Sequence, residues 1–233
     1  MRPRSKESVR AFYADAVEHG KSTAEGLRSP TSAAFNRFLS TVGASTPRSA
    51  LDLGYGMGAY TIALARAGFR VVAVDQVPSA PFRQRLRDHI EPTDRVEVVE
   101  ELIERYPIRD AFGVVVAKDV LHYLAQNEVE SLLGRAVAVS HPHSCHYLDV
   151  FTAISRTDSS GQIQRIEGEA DFSPESLRRL VDRVYRGWHV SITWSEHAER
   201  DSRTDRNYFE AVRATVVAHR RGAAAPAPRK EAP

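Results

Sequence analysis

The sequence predicts an α/β fold: a doubly wound, mostly parallel sheet of seven strands, finished by an antiparallel hairpin and preceded by a helical lid. Three observations carry this. The run from Ala50 to Leu53 is short and apolar, fit for a buried parallel strand, and it flows into Gly54, Gly56 and Gly58 before a helical stretch from Ala59 to Ala67. Strand-like and helix-like segments then alternate, the βα order of a parallel sheet. The last two strand-like segments follow one another with no helix between them, which reads as a hairpin.

Each element has its own signal. Ser5 is placed to cap a helix whose apolar positions Val9, Phe12, Tyr13, Ala16 and Val17 recur at helical spacing until Gly20. A linker through Ser29-Pro30 follows, and Thr31 to Val42 reads as a second amphipathic helix with Ala34, Phe35, Phe38, Leu39 and Val42 on its apolar side. These two helices are predicted to cover one side or the mouth of the sheet. After the first strand and its helix come a strand at Phe69 to Val74, a polar helix around Pro81 to His89, and strands at Val96 to Val99 and Phe112 to Ala117. A helix from about Asn127 to Ser140 leads to a strand at Cys145 to Phe151. Ser173-Pro174 then opens another helix with serine as cap and proline in the first turn. His189 to Trp194 and Phe209 to Ala218 are the hairpin strands.

Composition narrows the function. Thirty-two Lys and Arg stand against thirty Asp and Glu, a formal charge of +2, and the basic residues are spread along the chain, so nucleic acid is not the implied partner. One cysteine, Cys145, excludes an internal disulfide framework and fits a reducing compartment, so a cytoplasmic location is expected. No apolar stretch nears a membrane span, and Met1 to Ser8 lacks the apolar core of an export signal. The expected organisation is a helical cap over residues 1–45, a cofactor-binding domain over 46–220, and a tail over 221–233 too rich in alanine, proline and charge to bury anything.

The glycine turn is the main chemical signal. Between a strand and a helix, glycine allows backbone angles and close ligand approach that a Cβ forbids, and the helix start offers free N–H groups. Asp75, closing the next strand, follows Gly54 at about the spacing of a carboxylate that accepts from a ribose. An adenosine-containing cofactor is implied. Gly54, Gly56 and Ala59 also satisfy the looser dinucleotide pattern, so glycines alone leave two cofactors open. Asp52, two residues before the first glycine, would repel a pyrophosphate.

Asp52 with the alternation Gly54, Gly56, Gly58 resembles motif I of the class I, Rossmann-like S-adenosylmethionine-dependent methyltransferases, particularly the small-molecule enzymes, including the tellurite-resistance type with its similar F-S-P-E-x-L stretch. The order of elements over about residues 45 to 220 is similar too. The resemblance implies S-adenosylmethionine as cofactor, Asp52 facing its methionine end, Asp75 and Gln76 at the ribose and adenine, and Glu101 where relatives often place an aspartate near the adenine amino group. Glutamate is longer, and Glu100 competes for that role. In Lys118-Asp119-Val-Leu-His122-Tyr123, the first residues would line the cofactor and the later ones face the acceptor. Lys118 is unusual there and suits a carboxylate of cofactor or substrate. His122 has a side chain suited to removing a proton, and Tyr123 can donate a hydrogen bond, so both are the catalytic candidates. Tyr13 is assigned to the cofactor site from the lid, and His19, Arg28, Glu196 and Tyr208 are further candidates to fold over the mouth.

His141, His143, Cys145 and His146 are competent zinc ligands, but Cys145 and His146 are adjacent at a strand start and would point to opposite faces; a loop without metal is expected. The Asn-Pro-Pro-Tyr sequence and the clustered acidic residues of metal-recruiting relatives are missing, which disfavours catechol-type, DNA-base and glutamine methylation. Methyl transfer to a small molecule is the expected function. The alternatives are an enzyme of the same fold that cyclises S-adenosylmethionine to azetidine-2-carboxylate with release of methylthioadenosine, a non-catalytic cofactor-binding module, and a nicotinamide oxidoreductase, the last weakened by Asp52.

Overall fold

The computed structural model describes residues 4–19, 31–89, 93–158, 160–201 and 205–220. Arg28, the Ser29-Pro30 linker and the 221–233 tail lie outside the described residues. The chain order is α1 (Lys6–Glu18), α2 (Ala33–Thr41), β1 (Ser49–Leu53), α3 (Ala59–Arg66), β2 (Arg70–Asp75), α4 (Ala80–His89), β3 (Val96–Glu100), β4 (Val114–Lys118), α5 (Gln126–Val139), β5 (Cys145–Arg156), α6 (Pro174–Val184), β6 (His189–Asp201) and β7 (Arg206–His219). All seven strands form one sheet in the order β3-β2-β1-β4-β5-β7-β6. β1 to β5 are parallel, and β7 runs antiparallel between β5 and β6.

Both faces of the sheet are covered, as the near-continuous apolar strands require. Ala50, Val71, Ala73, Val114 and Val116 pack under Phe35 and Phe38 of α2, Ile62 and Leu64 of α3, and Phe82 and Leu86 of α4. Leu51, Leu53, Val115, Leu148 and Val216 face Leu132 and Leu133 of α5 and Leu177, Leu180 and Val181 of α6. Neighbouring residues of one strand enter opposite layers because side chains alternate along a strand. Ser173 caps α6 by accepting from Ser176 N at 3.1 Å, with Pro174 next, and Ser32 caps α2 by accepting from Phe35 N at 3.1 Å.

The two leading helices take different places. α2 lies in the packed layer, its Phe35 ring 4.3 Å from Tyr60 and 5.3 Å from Tyr147. α1 instead borders the cavity described below. Three strands outrun their expected ends. β5 continues through an irregularity between Thr152 and Ser155 to Arg156, with Ala153 at φ 49°. β6 and β7 extend to Asp201 and back from Arg206. The sequence past Trp194 is polar on both sides, so periodicity carries no strand signal there, and pairing with β7 supplies what the pattern lacks.

Candidate functional site

The strand order reverses between β1 and β4, so their following loops diverge and leave a crevice at the carboxyl ends of the strands. A cavity of about 890 Å³ opens there, toward the upper end of the ~300–1,000 Å³ usual for small-molecule sites. The three glycines of its floor are required for more than one reason. All have positive φ, at 78°, 49° and 77°. A Cβ on Gly54 would stand 2.7 Å from the Val120 side chain, and one on Gly58 1.8 Å from the Phe82 ring. A Cβ on Gly56 would meet nothing within 4 Å, so here the missing side chain leaves room at the cavity itself.

Asp75 braces this turn. Its Oδ2 accepts from Gly56 N at 2.9 Å and its Oδ1 from Val77 N at 3.2 Å. A carboxylate offers about four acceptor positions, so capacity remains for ligand hydroxyls. Asp52 lies beneath, 2 % exposed, accepting from Thr61 Oγ1 at 2.5 Å. Burial, with a smaller contribution from the Asp75 charge, raises its carboxyl to about 7 despite the Thr61 bond. Asp75 is raised too, by burial. A cation brought beside Asp52 would pull it down again.

Lys118 ends β4 in a close ion pair with Asp119, and its Nζ lies 5.7 Å from the centre of the Tyr60 ring. Asp119, at φ 52°, also receives Arg213 of β7 at 3.4 Å. From α1, the Tyr13 hydroxyl meets that of Tyr123, and their rings pack edge to face at 5.5 Å. Lys6 reaches Glu128 of α5 at 3.4 Å, a second tie between α1 and the elements around the cavity.

The cavity brings together Tyr13, Asp52, Gly54, Gly56, Gly58, Asp75, Gln76, Lys118, Asp119 and Tyr123. Glu101 does not line it: the side chain is exposed and accepts from its neighbour Leu102 N at 2.8 Å, while Leu102 and Ile103 form that wall. Glu100 is taken by Ser79 N at 2.8 Å. His122 does not line it either. It sits in a short 3-10 turn behind Tyr123, 1 % exposed, ring centroids 4.1 Å apart. Burial first, then the charges of Arg156, Arg213 and Lys118, hold its imidazole well below the ordinary histidine range.

Other candidates lie elsewhere. His19 pairs with Asp15, Tyr208 donates to Glu199 at 2.5 Å, and Glu196 sits on β6 opposite Val212, all off the cavity lining. Cys145 turns to His219 and His146 to Ser140 and Tyr185, on opposite layers. No group of three His, Cys, Asp or Glu among the described residues is placed to hold a metal ion. Sequence reasoning missed Lys6, Val9, Arg10 and Ala16 of α1, Arg85, and Asn127 with Ser131 of α5. Val9, Tyr13 and Ala16 recur along one helix face, a stripe the sequence already displayed.

Comparison with known proteins agrees with this geometry. A family model described as a methyltransferase domain matches residues 50–143. No curated protein matches the chain in sequence. Among solved structures, the 1,6-didemethyltoxoflavin-N1-methyltransferase of Burkholderia thailandensis, with 1,6-didemethyltoxoflavin and S-adenosylhomocysteine bound, is 16 % identical. The match has a TM-score of 0.60 and covers 92 % of this chain and 88 % of that one. The structure of DhpI in complex with SAH is 18 % identical, with TM-score 0.60 over 93 % and 96 % of the two chains. The magnesium protoporphyrin IX methyltransferase of Synechocystis PCC 6803, with SAM bound, is 12 % identical, with TM-score 0.54 over 91 % and 82 %. At such identities the likeness establishes the fold, and the match over residues 50–143 supplies the domain. The chain carries a methyltransferase domain over residues 50–143, of the kind that uses S-adenosylmethionine, set in a Rossmann-like methyltransferase fold.

Proposed function

We propose that the protein transfers a methyl group from S-adenosylmethionine to a small molecule, in the cytoplasm, with α1 of the helical cap over residues 1–45 acting as the lid on the domain over 46–220. The observation that supports it most is the open cradle at Gly56, braced by Asp75 and floored by the buried Asp52. Asp75 and Gln76 would take the ribose and adenine edge, Leu102 and Ile103 the adenine face, and Asp52 and Lys118 the ammonium and carboxylate of the methionine end. When bound, the cofactor supplies an activated methyl carbon. The protein's part is to position, dehydrate and enclose, with α1 and the Tyr13–Tyr123 contact closing over the site.

The test is to incubate the purified chain with S-adenosylmethionine alone, then with pooled small-molecule acceptors, and follow products by mass spectrometry. Intact cofactor in the first case and acceptor-dependent S-adenosylhomocysteine in the second are expected. Methylthioadenosine from the cofactor alone would instead mean cleavage without methyl transfer and would sink this reading.

A pH dependence follows from Asp52. Its folded value is raised from 3.8 to about 7, so the folded state holds a proton that the unfolded chain releases. The stability it contributes is complete below about 3.8 and is lost as pH rises through about 7, and Asp75 shifts in the same direction. An ammonium beside Asp52 favours its ionised form, so ligand binding should expel that proton. The melting-temperature gain from S-adenosylhomocysteine is therefore expected to be larger at pH 8 than at pH 6. An equal gain at both would separate Asp52 from the ligand's amino group.

A further inference from the structure

A second cavity, about 420 Å³, opens at the other end of the sheet, where the parallel strands begin. Arg48, Arg70 and Arg95 line it, with Ser49, Gly68 and Asp94. β1, β2 and β3 are neighbours, and each enters the sheet with an arginine: Arg48 directly precedes Ser49, Arg70 opens β2, and Arg95 directly precedes Val96. Val71 is paired with Val96, so Arg70 and Arg95 come to one level of two parallel strands whose backbones are about 4.8 Å apart. Ser49 is paired with Arg70, which sets Arg48 one residue further back on the third strand.

These three arginines are exposed, and among the described residues none of them makes an ion pair or a side-chain hydrogen bond. Arg48 lies over the Phe69 ring at 5.0 Å, a contact that fixes its place and uses none of its N–H groups. Ser49 is occupied, its Oγ donating to Ala111 O at 3.2 Å and accepting from Gly113 N at 3.3 Å. Asp94 is the carboxylate of the lining, and Glu97 follows on β3, its charge acting on Tyr106; neither pairs with an arginine here. Arg183 and Arg200, also exposed, are by contrast answered by Glu130 at 2.7 Å and Asp205 at 3.0 Å. Like charges held at one level of adjacent strands repel, so an anion between them relieves a strain that the fold itself leaves standing.

We infer that this cavity binds a phosphate dianion, free or carried by a small monoester. Guanidinium forks arriving from three strands can share the oxygens of a tetrahedral anion, a match that one carboxylate does not offer. Asp94 offsets one of the three cations, and the charge that remains is that of a dianion. The site is separate from methyl transfer. β1 spans five residues, roughly 17 Å, between this end and the Gly54 turn, so a ligand here neither overlaps the cofactor nor meets its methyl group. It stands whether or not the methyl-donor reading does.

The experiment titrates the full chain at pH 8 with sodium phosphate, phenyl phosphate and sodium chloride at equal ionic strength, by calorimetry and thermal melts. Both phosphates are expected to bind one per chain and to raise the melting temperature where chloride does not. Tighter binding of phenyl phosphate would identify a monoester as the ligand, and tighter binding of inorganic phosphate the free ion. Arg70→Gln combined with Arg95→Gln should weaken phosphate at least about tenfold. In phosphate-free buffer this double variant should keep or raise its melting temperature, because a repulsion leaves with the charges, so lost binding is not lost folding. Arg186→Gln, an exposed arginine outside the lining, should change neither. Saturating S-adenosylhomocysteine should leave phosphate affinity unchanged. Equal effects of phosphate and chloride, undiminished binding by the double variant, or competition between phosphate and S-adenosylhomocysteine would overturn the inference.

Discussion

Gly56→Arg is expected to abolish cofactor binding, at least about 100-fold in Kd or some 3 kcal/mol, while the protein stays folded. The reason is specific to this glycine. Its Cβ direction is empty, so a side chain can start there without displacing protein, and an arginine would fill space at the cavity floor. Its backbone N–H still donates to Asp75, so the turn is retained. The cost to folding is the positive φ of 49°, about 1–2 kcal/mol for a residue with a Cβ. Gly68→Arg is the control, since Gly68 has φ 89°, open space around its Cβ direction, and no place in the cavity lining. Calorimetric titration with S-adenosylhomocysteine should show binding lost in the first variant and retained in the second. Unchanged affinity in Gly56→Arg would mean that the glycine cradle is not the cofactor site.

The largest stability loss is expected at Gly113, just before β4. A Cβ there would lie 1.9 Å from the carbonyl oxygen of Pro47 and 2.8 Å from its carbonyl carbon. Unlike a side-chain neighbour, this oxygen cannot swing away. Gly113 cannot retreat either, because its N–H donates to Ser49 O at 2.9 Å and its carbonyl accepts from Cys145 N at 2.8 Å. Gly113→Ala should cost about 2–4 kcal/mol, a fall of about 5–15 °C in melting temperature for a chain of this size. Gly134→Ala gives the opposite sign. Gly134 sits within α5 with nothing near its Cβ direction, and alanine in a helix is worth about 0.5–1 kcal/mol over glycine. Thermal melts of the two variants should move in opposite directions.

The core of the fold was legible because its signals are local. The apolar run of β1, the glycines of its turn and the Ser173-Pro174 cap each act within a few residues, and the structure places all three where the pattern puts them. The long ends of β5, β6 and β7 were not legible, since exposed polar strands are fixed by pairing partners tens of residues away. The cofactor side of the site was readable for the same reason as the fold: Asp52, the glycines and Asp75 lie at the ends of two adjacent parallel strands, so sequence spacing becomes spatial spacing. Glu101 shows the limit. It stands one residue past β3, and the chain path after the strand turns Leu102 and Ile103 to the cavity instead.

The sequence by itself determined the class of fold and the glycine turn with its two carboxylates, whose resemblance to a family motif implied the cofactor, because each depends on short-range chemistry: which residues tolerate positive φ, which alternate between faces, which carry charge at a strand end. Only the tertiary structure decided the far side of the cavity. Tyr13 and Tyr123, 110 residues apart, meet across the mouth. Arg213, 94 residues from Asp119, arrives on the last strand. His122, the base suggested by its residue type, is withdrawn behind Tyr123 among three cations. No pattern along the chain encodes those distances. They follow from the insertion of β7 beside β5, which carries an arginine to the place where the parallel strands end.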